Sequence, residues 1–119
     1  MSGLCYNWSM NNSTDPDCIF CSIANGPSDK LVWQNEYAAA FKDLNPKAAM
    51  HVLVVPKLHI KNIDALDDEV LAGKLVMAVR EVIMQLGLVE ANQVLIQGID
   101  IDHLHFHVMS DSRWAGPRP

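Results

Sequence analysis

The chain is short of positive charge, of cysteine and of long apolar runs, and each shortage removes a class of protein. Nine Lys and Arg stand against fourteen Asp and Glu, leaving a net charge of −5 over 119 residues. Non-specific affinity for nucleic acid comes chiefly from cations that displace counterions, so a partner held through its phosphate backbone is disfavoured, whereas one nucleotide needs only a local pocket. No apolar stretch approaches the length of a membrane span. Met1 to Thr14 has neither the basic start nor the apolar core of a secretory leader, which predicts an intracellular, cytoplasmic protein without membrane attachment. The three cysteines are an odd number. Cys18 and Cys21 form a Cys-x-x-Cys pair, which in a reducing compartment points to metal or redox chemistry, and Cys5 is left as a free thiol. The glycosylation-type triplets at Asn7, Asn11 and Asn12 would matter only in a secreted chain.

What remains is half hydrophobic and 19% charged, the composition of one globular domain large enough to bury a core. Residues 1–14 are polar and without period, which predicts a disordered arm, with residues 15–119 as the single domain. Cys18 to Ala24 reads as a short helix closed by Asn25-Gly26-Pro27. Leu31 to Trp33 and Tyr37 to Phe41 read as a hairpin, and Asp43-Leu44-Asn45-Pro46 as a loop. His51 to Val55 is an apolar, β-branched run ended by Pro56, the pattern of a strand in the middle of a sheet. From Asp67 to Leu86, Val70, Leu71, Leu75, Ala78, Val79, Val82, Ile83 and Leu86 recur at helical spacing behind an acidic first turn, with Gly87 as the stop. Met77 and Met84 extend that stripe toward a dimer contact. Val94 to Gln97 is a further strand. The fold class is α+β, a five-stranded, largely antiparallel sheet with one long helix and a short amino-terminal helix.

The densest chemistry lies in His103-Leu104-His105-Phe106-His107-Val108-Met109. Alternate residues of a strand face opposite ways, so the three imidazoles share one face and Leu104, Phe106 and Val108 the other. One histidine could simply be satisfied in a core; three on one face serve no core. Neutral imidazole is both a common metal ligand and a nucleophile, and spacing alone does not choose between metal binding and phosphoryl transfer.

The histidine strand, with Cys18-Ile19-Phe20-Cys21 and His51-Val52-Leu53-Val54-Val55-Pro56-Lys57-Leu58-His59-Ile60 ahead of it in that order, closely resembles the histidine-triad (HIT) family of nucleotide hydrolases and transferases, in its Hint-like branch. The resemblance runs from about Asp17 to Met109. It implies that His105 attacks the α-phosphorus of a nucleotide to give a nucleotidyl-histidine, which water then hydrolyses. His107 would hold phosphate oxygens or pass a proton to the leaving group, with His103 and His51 completing the catalytic set. Imidazole, with an ordinary pKa of about 6.5, is largely neutral at pH 7 and can attack, and a covalent intermediate divides one hard displacement into two. By the same resemblance Asp43 takes the ribose hydroxyls, Leu44 touches the nucleoside, Phe20, Ile23 and Phe41 line the base, and Gln97 stands where a nucleotide-binding Asn is common. Cys18, Cys21, His59 and His103 resemble a structural zinc set found in part of the family; no cofactor is required for the chemistry itself. A homodimer and a purine nucleotide substrate are implied too.

The chain also departs from the family. Only Gly98 to Asp102 separates Gln97 from His103, so a loop that elsewhere supplies donors to the phosphate and leaving group is shortened, and Asp100 and Asp102 bring negative charge toward it. Arg113-Trp114-Ala115-Gly116-Pro117 only echoes the tail that helps choose the leaving group in the Hint-like branch. The leading expectation is an enzyme that releases a nucleoside monophosphate, AMP above others, from phosphoramidate or adenylylated compounds. The alternatives are a dinucleoside polyphosphate hydrolase, removal of adenylate from nucleic-acid ends, a nucleotide-binding or scaffold protein without turnover, and a metal protein with no nucleotide.

Overall fold

The computed structural model describes residues 14–99 and 101–116. Cys5, the rest of the expected arm before Thr14, Asp100 and the last three residues lie outside the described residues. The elements are α1 (Ile19–Ala24), β1 (Trp33–Gln34), β2 (Ala38–Lys42), β3 (His51–Pro56), α2 (Glu69–Leu86), β4 (Asn92–Ile96) and β5 (Phe106–Ser110), with single 3-10 turns at Ser28–Lys30 and Ile63–Ala65. The five strands form one antiparallel sheet in the order β1-β2-β3-β5-β4. The apolar run from His51 is thus the central strand, as its composition predicts, and all six of its residues are buried. Among the described residues no helix is long and apolar enough to cross a membrane.

The long helix forms where its signals place it. The Asp68 carboxylate accepts the main-chain N–H groups of Val70 and Leu71, and Gly87 closes the helix in the left-handed conformation at φ 71°; such a cap contributes about 1 kcal/mol. Leu71, Leu75, Ala78, Val79 and Val82 form the buried stripe against Val52, Val54, Leu104, Phe106 and Val108. Val70, expected in that stripe, is turned out of it and is 69% exposed.

The opposite face of the sheet carries the short helix. Phe20, Cys21 and Ala24 of α1 pack with Cys18 on Ala39, Phe41, Leu53 and Val55. Ala38, Ala39 and Ala40 are wholly buried, Ala38 and Ala40 under α2 and Ala39 under α1. The histidine segment differs from its expected form in one respect: strand pairing begins only at Phe106. Before that point the Leu104 N–H donates to the Ile60 carbonyl of a loop at 2.7 Å rather than to a strand. The segment still alternates, because Leu104 lies in the α2 core while His103 and His105 are buried on the other side near Phe20.

Candidate active site and metal centre

Each imidazole on the histidine face is fixed by a main-chain group or by another imidazole, and those partners assign its protons. His105 Nδ1–H donates to the His103 carbonyl at 2.7 Å. Its Nε2 is therefore the nitrogen with the free lone pair. The Lys47 main-chain N–H donates to His51 Nδ1 at 2.9 Å, so the proton of neutral His51 sits on Nε2. His51 Nε2–H in turn donates to His107 Nδ1 at 2.9 Å. His107 then carries its proton on Nε2, and that atom is buried with no partner among the described residues. A buried donor without an acceptor is costly unless something arrives to accept it. The ring centroids of His105 and His107 lie 5.1 Å apart, so the ring with the free lone pair and the ring with the free donor are neighbours.

Burial lowers the pKa of both His51 and His107 below the ordinary value; the nearby Asp43 carboxylate opposes this, and the charge of Lys47 adds to it. Both rings are thus kept neutral at pH 7, as the chain of proton donors requires. His51, which as the first residue of a strand could have been solvent-facing, is 4% exposed. Asp43 Oδ1 accepts the Asn45 N–H at 2.8 Å and forms the turn, while its Oδ2 lies 3.4 Å from His51 Nε2 and 3.9 Å from His107 Nδ1.

Phe20 meets the ring of His105 edge to face at 5.3 Å, and Phe41 stands behind Phe20 at the same distance from it, both as buried side chains. Ile23 packs half-buried against the same cluster. Leu44 is 93% exposed beside Asp43, and Gln97 is exposed just past the end of β4. The 97–102 segment turns toward the connection after β3. Gly98 passes so close to Asn62 that a Cβ there would lie 2.6 Å from its Nδ2, and Ile101 packs on the α1 cluster. Asp102 is exposed, and the carboxylate whose charge reaches His107 is that of Asp43. In the tail, the Trp114 Nε1–H donates to the Gly87 carbonyl at 3.1 Å and the ring packs on the α2 face.

The second cluster joins three separate parts of the chain. Cys18 Sγ lies 3.3 Å from His103 Nδ1, and Cys21 Sγ lies 3.4 Å from both His103 Nδ1 and His59 Nδ1. All four donor atoms fall within 4.8 Å of one another. A tetrahedral zinc ion holds sulfur and nitrogen ligands about 3.5 Å apart, given bonds of about 2.3 and 2.0 Å, so the spacing fits. His103 Nε2–H donates to the Pro56 carbonyl at 2.8 Å, which turns Nδ1 toward the cysteines as an acceptor and supplies the outer partner expected of a metal-bound histidine. Burial pushes the Cys21 thiol up to about 11, with the neighbouring Cys18 adding to it, and holds His103 down at about 4. The Cys21 thiol is thus protonated without a cation, and a bound one would displace that proton.

Three features escape the sequence: the Lys47 N–H, the His103 carbonyl and the Pro56 carbonyl. All three act through the main chain, which no residue type announces.

Residues 26–113 match the HIT domain. A HIT-like protein of Methanocaldococcus jannaschii is 37% identical over 99 residues, covering 77% of each chain. The adenosine 5'-monophosphoramidase of Saccharomyces cerevisiae is 36% identical over 100 residues, covering 80% of this chain and 63% of its own. Among solved structures, a histidine triad protein of Clostridium difficile superposes with a TM-score of 0.74 at 29% identity, covering 87% of this chain and 98% of that one. A HIT family hydrolase of Legionella pneumophila does so with a TM-score of 0.71 at 27% identity, covering 79% and 92%. The order of the motifs, the sheet that carries them and the extent of these matches agree, and the chain belongs to the histidine-triad family.

Proposed function

We propose that the protein releases a nucleoside monophosphate, AMP above others, from phosphoramidate or adenylylated compounds through a nucleotidyl intermediate on His105. The observation that carries this reading is the bare Nε2 of His105, fixed by its Nδ1–H bond to the His103 carbonyl, beside the unpartnered Nε2–H of His107. In the first step the Nε2 lone pair forms a bond to the α-phosphorus and the bond to the leaving group breaks, the leaving amine or oxygen taking up a proton. The His107 donor meets the oxygen or nitrogen on which charge develops, a contact that commonly accounts for 10²–10³ in rate. Water then attacks the phosphorus and returns His105. Asp43 would take the ribose hydroxyls with Leu44 and Gln97 at the nucleoside, and Phe20, Ile23 and Phe41 would back the base. The activity printed for the yeast relative supports the phosphoramidate class.

Intact mass after mixing with adenosine phosphoramidate tests this. A gain of one adenylyl group in the wild type, absent in His105→Ala, is expected; turnover by His105→Ala at the wild-type rate would overturn it.

Zinc held by Cys18, Cys21, His59 and His103 would tie α1 to the residue whose carbonyl fixes His105, a structural role in a closed four-ligand site. The free Cys18 and Cys21 thiols fit a reducing compartment, the cytoplasm. We also assign a homodimer. β4 ends the sheet with an unpaired outer edge, and Val94 and Ile96 there, with Val76, Met77 and Met84 on the outer side of α2, are exposed apolar groups that a second copy would cover. Light scattering should give twice the chain mass of 13.2 kDa; a monomer at micromolar concentration would refute it.

A further inference from the structure

A nucleotide phosphate brings at least one full negative charge, and the groups around His105 offer little to meet it. His51 and His107 are neutral donors and acceptors, and the charged group closest to them is the Asp43 carboxylate, which repels an anion. The segment before the triad leans on Asn62 and Ile101 packs under α1, so it turns toward the metal-binding cluster. One cation remains. The loop after β2 folds back so that the Lys47 main chain bonds His51 directly at 2.9 Å, which puts the origin of that side chain one hydrogen bond from the histidine chain. Its ammonium group is exposed and touches only the Asn45 carbonyl, at 3.4 Å, with no carboxylate partner among the described residues. Its charge reaches both His51 and His107, and among the described residues no other lysine or arginine affects either ring. The other cations with recorded contacts are occupied elsewhere: Lys57 with Gln34, Lys74 over Tyr37, Arg80 with Glu81 and Arg113 with Asp111.

We propose that the Lys47 ammonium is the phosphate-binding charge of this site, swinging from the Asn45 carbonyl onto a non-bridging oxygen of the nucleotide and so selecting nucleotides over uncharged nucleosides. The inference rests on the nucleotide reading above and adds the group that pays the electrostatic cost of binding beside Asp43. A flexible four-carbon stem ending in a compact charge suits this task, and a weak neutral contact at rest costs little to leave. The residue serves twice through separable parts: its N–H sets the His51 proton, and its side chain meets the substrate.

That separability gives the test, because Lys47→Met removes the charge and keeps the main-chain bond. Calorimetric titration of AMP and of adenosine into the full chain, as purified with its metal, is run on the wild type, Lys47→Met and Lys47→Arg. The expected result is that Lys47→Met weakens AMP about tenfold while adenosine is unchanged, that Lys47→Arg keeps most of the preference for AMP, and that the salt dependence of AMP binding flattens in Lys47→Met. An unchanged AMP-to-adenosine ratio in Lys47→Met overturns the proposal. Equal weakening of both ligands overturns it too, since it marks a loop-structuring role. If the wild type binds neither ligand, the nucleotide reading itself fails and takes this one with it.

Discussion

The two faces of the sheet are built on opposite principles. Under α2 the contacts are apolar, mostly aliphatic, and indifferent to any single partner: Leu75, Val82, Val52, Val54 and Val108 are all fully buried. Under α1, a helix of six residues, thiols, imidazoles and two phenylalanines are buried beside Ala39, Leu53 and Val55, and what orders the polar ones is directional. An apolar core tolerates small shifts, whereas a lone pair and a donor must be held in place to be useful. The comparison teaches that this domain draws its stability from one side of the sheet and its chemistry from the other, with the strands as the shared wall.

The sharpest way to break that division is on the α2 face. Leu75→Ala should cost about 2–5 kcal/mol of stability by opening a cavity, read as a lowered denaturation midpoint, with adduct formation per folded molecule unchanged. Val70→Ala, on the same helix but exposed, should change stability by about 0.5 kcal/mol or less, and a large loss there would mean that α2 is not seated as described. The metal-binding cluster tests the other face. Chelation should raise amide exchange around Cys21 to Asn25 at least tenfold while leaving the buried amides of α2 protected. Equal loss across both faces would show that the cluster holds the whole fold rather than one side of it.

Much of this was legible in the sequence because it is periodic. The stripe of α2, the buried run of β3 and the alternation around His105 each follow from the repeat of the element that carries them. What periodicity cannot give is where pairing stops and where loops lean. The start of β5 at Phe106 depends on Ile60 competing for the Leu104 N–H, and the lean of residues 97–102 depends on the fit of Gly98 against Asn62. Val70 was misplaced because an apolar residue in the first turn of a helix satisfies the helical repeat whether or not the sheet lies beneath it. The four-ligand cluster was found by resemblance, and only the structure shows that its sulfur and nitrogen atoms meet.

His103 occupies both halves of the site at once, its ring in the metal-binding cluster and its carbonyl on His105. Mutation can reach only one of these. A substitution at position 103 can dissolve the four-ligand cluster, but every replacement retains a carbonyl, so the Nδ1 proton of His105 keeps an acceptor whatever side chain arises there. The same protection covers the N–H of residue 47 against anything but proline. In a lineage of such proteins the Cys/His cluster can therefore be lost one base change at a time, while the proton arrangement around His105 and His51 is shielded from point mutation at its two main-chain anchors.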